Sequence, residues 1–318
     1  MAVVVAEYLG QRTDTSRQIE PIRISKTRGS EEKPTKQCPF KNSHCDKAKR
    51  GDKPVCSIRD SETGKLWVVC EHRLCATNPK HSNLNEHQVS ILHSIAKLIF
   101  GSAIPTQDVL VKREVPIKVT EDSDYSADYV MWRRNPQQTS PFNPDRAVVL
   151  EMQGGGETTN TGDLTTHIDN WELVGKANNG LLCQPVMKVA PLVTNAWRRQ
   201  QEQFLVKGNV AMLTGGRMVF CVGSMIYDYL TQRFREGILA DLREANWTLA
   251  LITFEEDTSN PSRPDCAPYS IPLRIDPRRT LFTNYASFVQ VLTNQASPSA
   301  SLFIGEYMDL TNQGVTAR

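Results

Sequence analysis

The segment Ala147-Val148-Val149-Leu150-Glu151-Met152-Gln153 constrains the fold more than any other stretch of the chain. Valine and leucine at this density over so few positions read as a β-strand buried on both faces. A buried strand carries an acid only for a reason, because an unpaired carboxylate in an apolar setting is costly. Side chains alternate along a strand, so Glu151 and Gln153 share one face while Met152 points to the other. A second apolar run, Ala127-Asp128-Tyr129-Val130-Met131-Trp132, precedes it across a turn-rich loop from Asn135 to Asp145. If the two strands are neighbours, Asp128 sits beside Glu151 and Gln153, and two carboxylates and an amide surround one point. A hard divalent cation asks for such oxygen ligands, few in number, with room left for waters and a phosphate. The bland alternative is two strand-end acids in ordinary hydrogen bonds.

Upstream, Cys38, Cys45, Cys56, Cys70 and Cys75 are separated by 6, 10, 13 and 4 residues. Four thiolates in a segment rich in Lys, Gly, Asp and Pro suit a closed tetrahedral metal site, which fixes loops that cannot build a core themselves. The spacings are not those of an ordinary CxxC zinc finger. No run approaches the roughly 18 apolar residues of a membrane span. The apolar start from Met1 to Ala6 lacks a basic leader, so a cytoplasmic protein with reduced thiols is expected. Residues 1 to 80 hold 16 Lys and Arg against 10 Asp and Glu, and residues 81 to 318 hold 21 against 25. A basic front on a mildly acidic body fits a protein that meets a polyanion with its N-terminal end.

Asp128, a spacer of 22 residues, then Glu151-x-Gln153 on an apolar strand resembles the PD-(D/E)XK nuclease core, with Gln153 in place of the usual lysine. Cys38-Pro39-Phe40, Cys45, Val55-Cys56 and Trp67-Val68-Val69-Cys70-Glu71-His72-Arg73-Leu74 resemble the NotI family of restriction endonucleases. The resemblance implies a structural iron held by Cys38, Cys45, Cys56 and Cys70, although thiolate chemistry alone permits zinc equally. Cys75 has no counterpart in that pattern and is either a bystander or an alternative ligand. Glu114, which precedes Asp128 by 14 residues, matches a further active-site acid of the family. The implied activity is that of a type II restriction endonuclease, a homodimer cutting both strands of a palindromic, GC-rich site in double-stranded DNA. Asp128 and Glu151 would hold the catalytic Mg2+, with Gln153 and Glu114 completing the catalytic set. Two rivals stand beside it: a DNA-binding metalloprotein without catalysis, and a non-specific repair or recombination nuclease.

The expected architecture is α/β, a mixed β-sheet flanked by helices as in a restriction-endonuclease core (81–318), preceded by an arm and a four-cysteine metal-binding module (1–80). Residues 1 to 35 read as an arm or extended lead-in. Leu84, Ile91, Leu92, Ile95, Leu98 and Ile99 recur at helical steps, with a capping box at Asn83 and Glu86 and a stop at Gly101. His87 and His93 on this helix read as surface or core histidines. Val109 to Val119 reads as a strand interrupted by Pro116. Gly154-Gly155-Gly156 reads as a sharp turn of close approach, since the phosphate-cradle pattern and its lysine are absent. Further expectations are a helix from Asp163 to Lys176 with His167 and Asp169 toward substrate, and a basic helix face at Trp197-Arg198-Arg199-Gln200-Gln201. Strands are expected at Val219 to Ile226, Thr248 to Phe254 and Ile271 to Ile275, with a polar loop from Glu255 to Pro264 and a helix near Leu281 to Leu292.

Overall fold

A computed structural model of the chain describes residues 1–14, 37–41, 43–50, 52–75, 83–120, 123–136, 145–156, 158–174, 182–232, 234, 237–259, 270–293, 304, 306–308 and 315–317. The chain opens on a strand, β1 (Ala2–Tyr8), in which Val3, Val5 and Tyr8 are fully buried. The expected arm is therefore corrected at its start, where valines at alternate positions dock as a strand; residues 15–36 lie outside the described residues. β2 (Gln11–Arg12) folds back on β1, and β3 (Gln37–Cys38) pairs with β4 (Ser43–His44). After the short helix α1 (Asp46–Arg50), β5 (Val55–Asp60) pairs antiparallel with β1, and β6 (Leu66–Val68) pairs antiparallel with β5.

A 3-10 turn, Glu71–Leu74, precedes α2 (Glu86–Phe100) in the chain. The helix starts two residues later than expected, because Asn85 and Gln88 satisfy each other's backbone amides: Asn85 Oδ1 accepts from Gln88 N at 2.8 Å, and Gln88 Oε1 from Asn85 N at 3.1 Å. Next come β7 (Val109–Thr120), β8 (Ser123–Arg133), β9 (Val148–Gln153) and α3 (Thr161–Val174). β10 (Val186–Met187) adds to the outer side of β1, so the first sheet takes one strand from the middle of the chain. Then follow α4 (Val193–Leu213), β11 (Arg217–Gly223), α5 (Ser224–Thr231), β12 (Leu249–Glu256), β13 (Leu273–Thr283) and α6 (Tyr285–Thr293). β14 (Glu306–Met308) and β15 (Val315–Ala317) form a two-stranded pair.

The second sheet has the order β13-β12-β11-β9-β8-β7 and is mixed. β9, β11 and β12 run parallel, while β7, β8 and β13 are antiparallel to their neighbours. Its two faces are covered by different helices. Tyr129, Met131, Leu150, Met152, Val219, Cys221 and Ile252 pack with Ile91, Leu92 and Ile95 of α2. Met218, Phe220, Val222 and Leu251 pack with Trp197 and Phe204 of α4, Ile226 of α5 and Phe288 of α6. Each such side chain taken fully out of water contributes about 1.5–3 kcal/mol. Among the described residues the architecture is α/β, a six-stranded mixed sheet, a five-stranded antiparallel sheet and two antiparallel strand pairs, flanked by helices.

Several element limits differ from expectation for identifiable reasons. Pro116 does not interrupt β7, because β7 is the last strand of its sheet and an edge tolerates a missing amide donor. The strand expected to reach Ile226 stops at Gly223, where α5 begins. β13 is much longer than the expected segment, since the polar stretch Asp276-Pro277-Arg278-Arg279 interrupts its apolar run and hides its strand character. Glu255 and Glu256 belong to β12 rather than to a loop. Among the described residues no helix is long and apolar enough to cross a membrane.

Candidate active site

The pairs Tyr129↔Leu150 and Val130↔Val149 set the register of β8 against β9, and the next step places Asp128 opposite Glu151. Both side chains, with Gln153, point to the face covered by α4. The two acids are wired together through backbone amides: Met152 N donates to Asp128 Oδ2 at 2.8 Å, and Asp128 N approaches Glu151 Oε1 at 3.3 Å. They open into a cleft of about 380 Å³. One wall is Cys45, Asp46, Cys70, Glu71 and His72 of the cysteine segment, and the other is Ala196, Arg199, Gln200 and Gln203 of α4.

The electrostatics of the acid pair follow from burial. Glu151 is 6% exposed. Desolvation, then the charge of Asp128, push its carboxyl up to about 8 against the opposing pull of Lys207. Asp128 is likewise raised, first by burial and further by the charges of Glu71 and Glu114, while the Met152 amide and Lys207 oppose the shift. Two carboxylates that resist ionising side by side form the setting that a divalent cation relieves.

Lys207 was not singled out from the sequence. It lies on α4, 2% exposed, and its Nζ donates to Glu151 Oε2 at 2.8 Å and to Gln203 Oε1 at 2.9 Å. Ala196, Arg199, Gln200, Gln203 and Lys207 recur at three- and four-residue steps, so one stripe of α4 faces the acids. That polar stripe beside the apolar Trp197, Phe204 and Ala211 is the sequence signal that could have found it. The basic face expected at residues 197–201 is divided: Trp197 is core, while Arg198 and Arg199 are exposed.

Gln153 reaches the cleft, and its Nε2 donates to the Gly154 carbonyl, which commits the donor end of the amide to backbone. The flanking pairs Arg113↔Tyr129 and Val115↔Ala127 place Glu114 across from Asp128 on β7. Glu114 is held at φ +45°, a left-handed conformation that a non-glycine residue adopts at a cost of about 1–3 kcal/mol. Its charge is felt at Asp128, but it is not among the residues lining the cleft.

The glycine turn after β9 is a place of close approach. A Cβ on Gly154 would lie 3.0 Å from Glu71 Cα, and one on Gly155 would lie 2.2 Å from ring carbons of Trp67. Gly155 N also donates to Val68 O at 2.6 Å. The cysteine segment therefore seats directly on the end of the strand that carries Glu151 and Gln153.

Cys70 acts electrostatically on Cys38 and Cys56, Cys38 on Cys56, and Cys45 on Cys38 and Cys70. Backbone N–H groups are aimed at three of the four sulfurs. Gly10 N donates to Cys56 Sγ at 3.3 Å, the amides of Phe40 and Lys41 face Cys38, and that of His72 faces Cys70. Amides directed at sulfur favour thiolate over thiol. Burial pushes the Cys38 thiol up to about 12. Among the described residues no three ligating side chains already converge on one point.

Cys75 stands apart from the other four. It caps the 3-10 turn in a left-handed conformation, its Sγ lies 3.5 Å from Tyr129 Oη, and it packs in the α2-side core. It is a core thiol. His87 and His93 bond backbone carbonyls, of Arg73 at 3.1 Å and of Ile104 at 3.0 Å. Asp169 pairs with Lys53 at 2.8 Å and not with the cleft. No protein-family model matches the chain, and no curated protein matches it significantly.

Proposed function

We propose that the protein is a site-specific DNA endonuclease in which Asp128 and Glu151 hold the catalytic Mg2+. One observation carries this reading: a buried Glu151 and a half-buried Asp128 on adjacent strands, both raised against ionisation by desolvation and Glu151 further by the charge of Asp128, open into a cleft between a helix face and the cysteine segment. Mg2+ held there by Asp128 and Glu151, with the Met152 carbonyl, would supply Lewis acidity toward a phosphodiester and a bound water.

The remaining work falls to the chain's own groups. The Met152 amide fixes the Asp128 carboxylate, while the Asp128 amide makes a longer, weaker contact with Glu151. Gln153, whose amide cannot titrate near neutral pH, contributes its carbonyl oxygen as an acceptor that orients water. Arg199, Gln200 and Gln203 line the opposite wall, where cationic and amide side chains suit phosphates and base edges. Cleaving both strands of a palindrome calls for two such clefts, met most simply by a symmetric homodimer. Cys38, Cys45, Cys56 and Cys70 would hold a structural iron or zinc, four ligands leaving no position for substrate.

The test is incubation of the purified protein with long double-stranded DNA and Mg2+, resolved on a gel. Discrete fragments, lost in Asp128→Ala and Glu151→Ala, are expected. A smear would replace this reading with a non-specific nuclease. Binding without any nicking would leave a DNA-binding metalloprotein.

A further inference from the structure

We propose that Lys207 is the positioning cation of the cleft, supplying from α4 the positive charge that Gln153 does not supply from the strand. The inference rests on the nuclease reading above and deepens it. A lysine is seldom buried without a partner, because desolvating an ammonium is costly. Here the partner is one of the two acids of the cleft. Lys207 Nζ meets Glu151 Oε2 at 2.8 Å, an ordinary length for a charge-assisted bond. The other oxygen, Oε1, receives only the Asp128 amide at 3.3 Å, beyond the usual range and therefore weak.

The two oxygens of Glu151 are thus unequal. One is gripped by a fixed charge from behind, and the other is loosely held on the side of Asp128. Were Asp128 and Glu151 to hold a cation, the weak contact is the one that would yield, while the Lys207 bond would keep the Glu151 carboxylate in its rotamer. Gln203 completes the device: its Oε1 accepts from Lys207 at 2.9 Å, and Gln203 itself lines the cleft. Lys207 itself is not among the lining residues, so it acts through Glu151 rather than on the substrate.

Three substitutions test this. Lys207→Gln retains a donor without charge, Lys207→Met retains shape alone, and Lys207→Arg retains charge. Three measurements are taken on each: cleavage rate at saturating Mg2+, the Mg2+ concentration giving half that rate, and the melting shift induced by Ca2+ without DNA. For Lys207→Gln the expected result is a rate lower by about tenfold or more, the scale of one charge-assisted bond. A several-fold higher Mg2+ requirement and a smaller Ca2+ shift should accompany it, with Lys207→Arg recovering most of the loss. Lys207→Met takes the place of Lys207→Gln if the latter does not fold. A folded, uncharged variant with unchanged rate, Mg2+ requirement and Ca2+ shift would overturn the inference, as would Lys207→Arg failing to outperform it. Absence of cleavage by the unmodified protein would instead count against the nuclease reading itself.

Discussion

Replacing Asp128 with asparagine should make the metal-free protein more stable while removing its activity. Burial and the charge of Asp128 together push the Glu151 carboxyl up to about 8. The folded state therefore holds a proton that the unfolded state releases, over a window from the ordinary glutamate value to about 8. Stability contributed by this group is present below that window and is lost as pH rises through it. The whole effect near pH 8 is of the order of 4 kcal/mol, and the share due to Asp128, second to burial, is roughly 1–2 kcal/mol. Asparagine keeps an oxygen to accept the Met152 amide, so the contact now made at 2.8 Å survives. At about 2 °C per kcal/mol for a chain of this size, Asp128→Asn should melt some 2–4 °C higher at pH 8 in EDTA. The advantage should shrink toward zero at pH 5. Mg2+ should raise the melting temperature of the unmodified protein and have little effect on the variant. Thermal unfolding followed by circular dichroism measures all of this. A variant that melts lower at pH 8 would show that the carboxylate pair binds strand to strand and is no strained metal site.

Three further outcomes are expected. Gly155→Ala places a methyl 2.2 Å from carbons of the buried Trp67 ring, and over-packing of this kind should lower stability by about 1–3 kcal/mol in urea titration. Arg73→Met leaves Glu7, which is fully buried, without its 2.9 Å counter-charge, and should lower stability by roughly 3–5 kcal/mol; adding Glu7→Gln should restore part of it in a double-mutant cycle. His87 is held down to about 3 by burial and by Arg73, so it stays neutral in the folded state while the unfolded state protonates below about 6.5. Stability should therefore fall as pH drops through that value, by about 2 kcal/mol at pH 5, and His87→Gln should flatten the slope.

The core of the cleft was legible because strand alternation is a local rule. Glu151 and Gln153 had to share a face, and two neighbouring strands of apolar residues brought Asp128 alongside. Lys207 was not legible: it is 56 residues from Glu151, and a lysine in a helix ordinarily reads as solvent-facing. β1 was missed because its run is short and carries Glu7, whose partner Arg73 lies 66 positions away. Cys75 has the same chemistry as its neighbours, and only its left-handed backbone and its contact with Tyr129 separate it from them. The parts of the expected polar loops that fall at 137–144 and 260–264 lie outside the described residues.

The antiparallel sheet draws on distant parts of the chain. Ala2 and Val3 pair with Met187 and Val186, and Glu7 accepts from the Ile271 amide across 264 positions. A chain emerging from the ribosome amino-terminus first must therefore carry β1, with a carboxylate still lacking one of its final partners, until most of the polypeptide has followed. Contacts of such long range make for slow, late-completing folding. Chaperone dependence and growth temperature should accordingly influence the yield of this protein more than that of one built from local contacts.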